Sequence, residues 1–241
     1  MWLLSNKTTI KDSGLLNGFC DMHSHLLPGV DDGVAETHET LQILEKCEEM
    51  GVDTIWLTPH IMEDIPNTTN LLRKEFNLLT SKYRGKVKLK LAAENMIDNL
   101  LSSRMAQRDF LHIGDRQKHL LVETSYFNPP IDMEGRVDNI MRLGYVPILA
   151  HPERYQYMDI SDYRKWKKHG ILFQLNLPSI IGAYGVEVMK KAEILLERGM
   201  YDLCGTDTHT LRFMEFFFVG KIKKKYLKQL EELNQCGLSL I

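Results

Sequence analysis

Short apolar runs alternate with longer amphipathic stretches along most of this 241-residue chain. The apolar runs predict strands, and the amphipathic stretches have the three-to-four-residue spacing of helices. The predicted strands are residues 18–22, 54–58, 87–92, 120–122, 146–150, 171–175 and 203–205. The predicted helices are residues 37–50, 68–83, 137–143, 161–169 and 186–198. Glycines that relieve left-handed strain follow four of these helices, at Gly51, Gly144, Gly170 and Gly199. The alternation predicts βα units, and therefore an α/β fold with a parallel sheet.

The composition is that of an ordinary folded domain, with 44% hydrophobic and 26% charged residues. The formal net charge of -2 gives no global basic field for a nucleic-acid backbone, so we expect no nucleic-acid partner. A single domain over residues 18–241 is expected, preceded by a polar extension over residues 1–17 without an assigned role. The basic run at residues 221–225 is expected on a solvated face of the last helix.

The four cysteines, Cys20, Cys47, Cys204 and Cys236, have no CxxC spacing. Three of them lie in apolar patterns, where a free cysteine behaves as a small hydrophobic residue. We therefore expect a reducing compartment and no disulfide framework. No apolar run reaches the about 18 residues that a membrane-spanning helix needs, and no signal-peptide pattern begins the chain. These observations predict a cytoplasmic protein without membrane insertion.

Side chains that bind metals follow nearly every predicted strand. His23 and His25 are two residues apart after the first strand, so both project to the same side if the chain there is extended. Six further histidines and carboxylates follow later strands: His60, Glu94, Glu123, His151, Asp207 and His209. Helical crossovers bring the carboxyl ends of parallel strands to one face, where α/β barrels carry their sites. The sequence therefore predicts a metal site at this face.

Taken in order, these segments resemble the polymerase-and-histidinol-phosphatase superfamily. They are DxHxH from Asp21, DDG at 31–33, TPH at 58–60, Glu94, VETS at 122–125, AHPERY at 150–155 and GTDTH at 205–209. The DDG and AHPERY segments make the chain most similar to the bacterial manganese-dependent tyrosine-protein phosphatases of capsule and exopolysaccharide loci. The resemblance covers residues 19–209. It implies a distorted TIM-like (β/α)7 barrel, with the metal site at the carboxyl ends of the strands.

The resemblance also implies that nine imidazole and carboxylate side chains hold three divalent ions. The first ion has His23, His25, Glu94 and Asp207; the second has Glu94, Glu123 and His151; the third has Asp32, His60 and His209. Arg154 is implied to face the phosphate. Manganese is the implied metal, although the same mixture of nitrogen and oxygen ligands also suits Fe²⁺, Zn²⁺ or Co²⁺. The sequence departs from relatives at Ala92, Ala93 and Asn95, where they usually have glycine at 92 or 93 and a hydrophobic residue at 95.

These ligands favour phosphate-ester hydrolysis. Clustered divalent ions bind phosphate oxygens and lower the pKa of a bridging water, so that the resulting hydroxide can attack phosphorus in line with the leaving phenolate. Arg154 would neutralise charge on the phosphate oxygens. None of the four cysteines begins the Cys-x₅-Arg loop of cysteine-based tyrosine phosphatases. The resemblance implies a substrate as well, namely the tyrosine-rich tail of a bacterial tyrosine autokinase that controls polysaccharide synthesis.

Several residues have simpler interpretations. Asp32 could be a turn residue before Gly33, with Asp31 as the ligand instead. Glu94 and Glu123 taken alone could be ordinary strand-end carboxylates, and Arg154 a surface ion-pair partner. The remaining histidines are expected on the surface: His38, His112, His119 and His169. The aromatic candidates for contact with a phenyl ring are Tyr126, Phe127, Tyr155 and a phenylalanine cluster, which is otherwise core, at Phe213, Phe216, Phe217 and Phe218.

Three other functions remain open. The first is a small-molecule phosphatase, such as a histidinol-phosphate phosphatase, that uses the same metals. The second is a nuclease or polymerase-associated module, which the missing basic groove disfavours. The third is a non-catalytic scaffold that binds phosphotyrosine. The complete ligand set disfavours this third function, because a pure binder has no need of so many converging charges.

Overall fold

The computed structural model of this protein describes residues 6–114 and 117–239. Its strands are β1 (Lys7–Thr9), β2 (Cys20–Ser24), β3 (Thr54–Leu57), β4 (His60–Ile61), β5 (Lys88–Leu91), β6 (Glu94–Met96), β7 (His119–Glu123), β8 (Val146–Ala150), β9 (Leu172–Asn176), β10 (Leu203–Gly205) and β11 (Lys221–Lys223). Its helices are α1 (Ile10–Ser13), α2 (Thr37–Glu49), α3 (Thr69–Lys82), α4 (Asn99–Gln107), α5 (Met133–Arg142), α6 (Ile160–His169), α7 (Leu177–Ile180), α8 (Val186–Glu197), α9 (Leu211–Val219) and α10 (Leu227–Ser239). The predicted α/β class is confirmed.

The parallel strands curl into a half-barrel sheet. Six strands lie in the order β10-β9-β8-β7-β6-β4, and a second parallel sheet has the order β2-β3-β5. Strand β4 follows β3 after two residues and β6 follows β5 after two, so each pair continues one path from one sheet to the other. The carboxyl ends of β2 and β10 are joined by backbone bonds, since the His25 amide donates to the Thr208 carbonyl at 2.9 Å. All these carboxyl ends therefore lie together at one end of the sheet.

The seven predicted strands all correspond to strands of the structure, and the five predicted helices to α2, α3, α5, α6 and α8. The pattern does not predict the two-residue strand β4, the three-residue strand β6, or the helices α4, α9 and α10. Local signals end the predicted helices as expected. For example, Asp159 and Asp162 form a capping box at the start of α6, and Gly170 adopts a left-handed conformation with φ of 96° at its end.

One prediction about the basic run is wrong. Residues Lys221–Lys223 form strand β11 rather than part of the last helix. This strand pairs in antiparallel register with β1, and Lys224 to Tyr226 form a 3₁₀ turn before α10 begins. Lys223 donates to Glu193 at 2.7 Å, so the run is tied to helix α8 as well. The partner strand in the first nine residues carries little hydrophobic pattern, which is why the sequence alone does not reveal the pair.

Residues before the predicted domain boundary at 17 also contact the fold. Besides β1, they contribute helix α1 and the buried side chains of Ile10, Leu15 and Leu16. The Ile10 amide donates to the Gly220 carbonyl at 2.9 Å. The division into an extension over 1–17 and a domain over 18–241 stays a prediction.

The core lies between the sheet and the helices and contains most of the large hydrophobic residues. Cys20, Cys47 and Cys204 are buried and form no disulfide in the described part of the chain, whereas the side chain of Cys236 lies outside it. Burial raises the pKa of the Cys20 thiol to about 12. Within residues 6–114 and 117–239, no helix has both the length and the apolar character needed to cross a membrane.

Candidate metal centre

All nine predicted metal ligands lie at the carboxyl ends of the parallel strands. His23 is in β2 and His25 follows it directly, while Asp32 lies in the loop beyond. The later strands supply the others: His60 begins β4, Glu94 begins β6, Glu123 ends β7, His151 follows β8, and Asp207 and His209 follow β10. Eight of the nine are at least partly buried, and Asp32 is exposed.

Four of these side chains surround one point. His23 Nε2 and His25 Nε2 are 3.0 Å apart. Glu94 Oε2 lies 3.2 Å from His23 Nε2 and 3.3 Å from His25 Nε2. Asp207 Oδ1 lies 3.4 and 3.3 Å from the same two nitrogens. Ligand atoms held at about 2.1 Å from one ion are about 3.0 to 3.4 Å apart in octahedral or tetrahedral geometry. The four atoms therefore have the spacing of one coordination shell.

A second group adjoins the first through Glu94. Its other oxygen, Oε1, lies 3.0 Å from His151 Nε2, and Glu123 Oε2 is 3.9 Å from the same nitrogen. His60 Nδ1 lies 3.0 Å from Glu123 Oε1 and 3.2 Å from Glu94 Oε2. Glu94 thus has one carboxylate oxygen in each group, which is the arrangement of a bridging ligand.

The third group is more open. Asp32 Oδ1 lies 3.5 Å from His60 Nε2 and 3.6 Å from His209 Nε2. His25 belongs to the same set of ligand atoms. His60 therefore faces two groups at once, with Nδ1 toward Glu94 and Glu123 and Nε2 toward Asp32.

Neighbouring acceptors fix which imidazole nitrogen is available to a metal. Gln174 Oε1 lies 2.7 Å from His23 Nδ1, and Asp31 Oδ2 lies 2.8 Å from His25 Nδ1. The carbonyl of Asp207 lies 2.8 Å from His209 Nδ1. Because each acceptor takes the Nδ1 proton, the Nε2 lone pair of each ring points into the cluster. Asp31 also accepts from the amides of Gly33 and His60, so it orients ligands whereas Asp32 faces the cluster.

The backbone is shaped around these ligands. His151 and Asp207 have left-handed φ angles of 33° and 52°, a conformation that residues with a side chain adopt mainly at functional sites. Gly205 lies against His23, where an added Cβ would be 2.6 Å from the His23 Cβ. Gly33 lies equally close to His25, where a Cβ would be 2.2 Å from the carbonyl oxygen. A side chain at either glycine would displace a candidate ligand.

The protein without metal holds these charges by sharing protons. Burial alone would lower the pKa of His23, but Glu94 and Asp207 outweigh it and raise that pKa to about 9. Burial would raise the pKa of Glu94, yet the adjacent His23 and His151 hold it well below its usual range. Asp207 is likewise depressed, chiefly by His23 and His25 against the effect of burial. The cluster therefore favours ionised carboxylates beside positive charge.

The donor set fits divalent cations. Within the described residues, Glu94 Oε2, Glu123 Oε1 and His60 Nδ1 are buried without a hydrogen-bond partner. Leaving a buried polar atom unpaired is costly, and a bound cation would satisfy all three. Imidazole nitrogens and carboxylate oxygens without a thiolate suit borderline to hard divalent ions.

Arg154 lies beside this cluster, in the 3₁₀ turn Pro152–Arg154. Its Nη1 donates to Asp207 Oδ2 at 2.7 Å. The guanidinium carbon lies 4.3 Å from the ring centre of Tyr126 and 4.4 Å from that of Tyr184. Burial would lower the pKa of Arg154, but Asp207 outweighs it and raises that pKa, so the side chain stays charged. Arg154 is 17% exposed, which excludes the surface ion-pair interpretation.

A cavity of about 390 Å³ opens above these groups. It is lined by candidate ligands together with Arg154 and three aromatic residues, Tyr126, Tyr184 and Phe213. Burial raises the pKa values of Tyr126 and Tyr184, so both phenols are neutral near pH 7. The cavity therefore combines a cationic side chain, candidate metal ligands and neutral rings.

The aromatic predictions divide. Tyr126 and Phe213 line the cavity, whereas Tyr155, predicted as a stacking candidate, is fully buried and accepts from the Thr124 amide through its hydroxyl. Phe217 and Phe218 are core residues, as their alternative interpretation held. Phe127 and Phe216 are exposed.

Among the other histidines, His38 and His169 are exposed, as expected. The expectation for His119 is wrong, because it begins β7 and is 2% exposed. Its backbone pairs with Ile113, which covers the ring with protein.

The sequence analysis missed three residues that shape the site. Gln174 and Asn176 come from β9, the predicted strand to which no ligand was assigned. Asn176 Nδ2 donates to Asp207 Oδ2 at 3.0 Å and to the Tyr184 hydroxyl at 3.2 Å. Two amide side chains inside an otherwise apolar strand were the available signal, since a buried amide requires polar partners. Tyr184 lies in a loop and gave no signal.

The departure at Asn95 has a structural explanation. Its Nδ2 donates to the carbonyls of Ala93 and Leu121 at 2.9 and 3.0 Å. Its Oδ1 accepts from Arg104 Nη1 at 2.6 Å. A buried polar network thus replaces a hydrophobic contact next to Glu94, which keeps its place among the candidate ligands.

The family model described as "Capsular polysaccharide synthesis, CpsB/CapC" matches residues 19–215. This chain belongs to the CpsB/CapC family. The matched segment includes every candidate ligand of the cluster and Arg154. Two curated relatives are named tyrosine-protein phosphatases. YwqE of Bacillus subtilis (strain 168) is 24% identical over 204 residues, which cover 81% of this chain and 79% of YwqE. CpsB of Streptococcus pneumoniae is 24% identical over 210 residues, with coverage of 79% and 83%.

The fold of this CpsB/CapC member is also similar to a solved structure. The crystal structures of YwqE from B. subtilis and CpsB from S. pneumoniae are described as those of unique metal-dependent tyrosine phosphatases. The match has a TM-score of 0.78 at 22% sequence identity, and it covers 92% of this chain and 90% of the solved chain. At this identity the likeness establishes a shared fold.

Proposed function

We propose that this chain is a metal-dependent protein-tyrosine phosphatase. The observation that carries the proposal is the position of Arg154, held between two tyrosine rings at the edge of nine converging metal-type side chains. A phosphate monoester needs cationic groups around its oxygens, and the ring of phosphotyrosine needs an apolar wall. The tyrosine-phosphatase names of the curated relatives support the same activity.

The centre holds three divalent ions in this proposal, with manganese as the native metal. The three sets of ligands are those implied by the family resemblance: His23, His25, Glu94 and Asp207; Glu94, Glu123 and His151; Asp32, His60 and His209. The spacing of the ligand atoms and the two-sided position of Glu94 support the first two sets. Fe²⁺, Zn²⁺ and Co²⁺ are the competing metals.

Bound divalent ions would supply Lewis acidity and lower the pKa of a coordinated water. Arg154 binds the phosphate oxygens and stabilises the charge that spreads over them during transfer. Asp207 holds the guanidinium in place through Oδ2, and the rings of Tyr126 and Tyr184 fix its plane. Tyr126, Tyr184 and Phe213 contact the phenyl ring of the substrate at the cavity wall.

The proposed physiological substrate is the tyrosine-rich tail of a bacterial tyrosine autokinase in capsule or exopolysaccharide synthesis. The family description supports this process. We also propose that the two sheets together form the distorted seven-stranded barrel, supported by the bonds that join β2 to the segment after β10. A cytoplasmic location stays a prediction.

The test is hydrolysis of a phosphotyrosine peptide, a phosphoserine peptide and histidinol phosphate by the same preparation. Each is measured after chelation and again after Mn²⁺ is restored. Manganese-dependent release of phosphate from the tyrosine peptide alone supports the proposal. Turnover of histidinol phosphate without turnover of either peptide would assign the centre to a small metabolite. Binding of the tyrosine peptide without turnover would assign it to a scaffold.

A further inference from the structure

A second cavity of about 930 Å³ adjoins the candidate active site. Arg154 and Tyr184 line both cavities, so these two side chains form the partition between them. The second cavity runs between the 3₁₀ turn after β8, the start of α6 and helix α8. We call it the α8 groove, and its apolar lining residues are Met158, Ile160, Val186, Val188, Ile194 and Leu195.

The α8 groove exposes an unusual amount of apolar surface. Val186 is 59% exposed and Ile194 is 45% exposed, both on helix α8. Met158 and Leu195 are buried and form its floor. Exposed aliphatic side chains that are grouped along a concave surface mark a binding site more often than isolated ones do.

The charged residues of the groove already have partners. Lys191 Nζ donates to the carbonyls of Tyr155 and Met158 at 2.6 and 3.2 Å. Lys190 pairs with Glu187 at 2.9 Å, and Asp159 caps helix α6. Recognition in the groove therefore rests on the apolar side chains, and a second phosphate would find no uncommitted cation among these lining residues.

The position of the groove indicates its occupant. A phosphotyrosine in the active-site cavity keeps its main chain at the rim, and the chain must continue past the partition. Extended backbone advances about 3.3 Å per residue, so the neighbouring residues reach the adjoining groove at once. We propose that the α8 groove binds the residues next to the phosphotyrosine of a peptide substrate, with preference for apolar side chains. This inference rests on the proposed tyrosine-phosphatase function and deepens it.

The experiment compares three substrates of the manganese-loaded enzyme. Two are phosphotyrosine peptides, one with leucine on both sides of the phosphotyrosine and one with glycine on both sides. The third is p-nitrophenyl phosphate, which has no peptide chain. The groove variant is Ile194→Asp, and Leu78→Asp on α3 is the matched control, because Leu78 is 46% exposed and lies outside both cavities. Val186→Asp is the second groove variant, in case Ile194→Asp does not fold.

We expect the wild-type enzyme to prefer the leucine peptide. Ile194→Asp should lower kcat/KM for that peptide by about tenfold, mainly through KM, since an aliphatic contact is replaced by a charge. Its rates with p-nitrophenyl phosphate and with the glycine peptide should stay within about twofold of wild type. Leu78→Asp should leave all three rates unchanged.

Other results would overturn the inference. An equal loss with all three substrates would show that the groove is structural, and an unchanged leucine-peptide rate in both groove variants would show that peptides do not enter it. A change in oligomeric state on Ile194→Asp would make the groove an interface between copies. Failure of the wild-type enzyme to hydrolyse either peptide would overturn the proposed function together with this inference, and it is seen before any variant is made.

Discussion

Asp207 connects Arg154 to the candidate metal centre. Its Oδ2 accepts a hydrogen bond from Arg154 Nη1 at 2.7 Å, while its Oδ1 lies 3.3 Å from His25 Nε2. One carboxylate thus faces the guanidinium with one oxygen and the histidine cluster with the other. Asn176 donates to the same Oδ2 and limits its rotation. The distance between the phosphate-binding arginine and the metals is therefore set by a single side chain.

Removal of Arg154 should separate catalysis from metal binding. We expect Arg154→Ala to reduce kcat by about two orders of magnitude or more, because an arginine that stabilises transition-state charge contributes about that much. The metal content should be unchanged, since the guanidinium binds no ion. Phosphotyrosine-peptide kinetics and elemental analysis of the same preparation test this. Arg142→Ala, at an exposed arginine on α5, is the control. Parallel loss of metal and activity would give Arg154 a structural role.

The ligand positions could be predicted because strand ends are local features. His23 and His25 announce themselves by a two-residue spacing after an apolar run, and His151 and Asp207 each follow another such run. Parallel topology then brings these ends together whatever the details of the crossovers. This is why a one-dimensional pattern predicted the neighbourhood of residues as distant along the chain as His23 and Asp207.

Contacts that depend on loop paths could not be predicted in this way. Tyr184 reaches Arg154 from a loop after α7, and nothing in its neighbouring residues indicates that destination. The exposure of Phe127 and the burial of Tyr155 likewise depend on where each short turn points. Strand β1 has a partner more than 200 residues away, and its pattern is too short to reveal it.

Glu94 should be required for metal retention. In Glu94→Gln the side chain keeps its shape but loses the charge that faces His23 and His151. We expect loss of at least one ion per chain along with activity, because a bridging ligand serves two sites. Elemental analysis after dialysis measures this. Glu153→Gln is a matched control, because Glu153 is also buried yet binds Tyr201 and the Asn176 amide outside the candidate groups. Full metal occupancy in Glu94→Gln would contradict the bridging assignment.

Asp31 should tune metal affinity without binding the metal. It holds His25 Nδ1 at 2.8 Å, and loss of such an orienting carboxylate typically costs ten- to a hundredfold in affinity, so about that decrease is expected for Asp31→Ala. Competition with a fluorescent chelator measures the dissociation constant. Asp138→Ala is the control, since it removes an exposed carboxylate that lies 2.7 Å from His169 Nε2. Complete loss of one ion in Asp31→Ala would indicate that Asp31 is itself a ligand.

Gly205 should tolerate no side chain. In Gly205→Ala the new Cβ would lie 2.6 Å from the His23 Cβ and 2.8 Å from its amide nitrogen, so strand β2 must shift. We expect a loss of about 1–3 kcal/mol in the free energy of unfolding, as in other overpacked cores, together with weaker metal binding. Gly237→Ala is the control, because its nearest contact would be 3.4 Å from Met22 Cγ within helix α10. Denaturant unfolding of both variants tests this, and equal stability would show that β2 can move freely.

Metal removal should lower the thermal stability of the protein. Without metal, Glu94 Oε2 and Glu123 Oε1 are buried and unpaired, and an ion that binds only the folded state would satisfy them. An ion present at 100 times its dissociation constant stabilises the fold by about 2.7 kcal/mol, which corresponds to a Tm increase of about 5–10 °C for a chain of this size. Differential scanning calorimetry after chelation and after Mn²⁺ addition measures the shift. Glu94→Gln should show a smaller shift than wild type, because part of the centre is lost. An equal shift in both proteins would mean that the stabilising ion binds elsewhere.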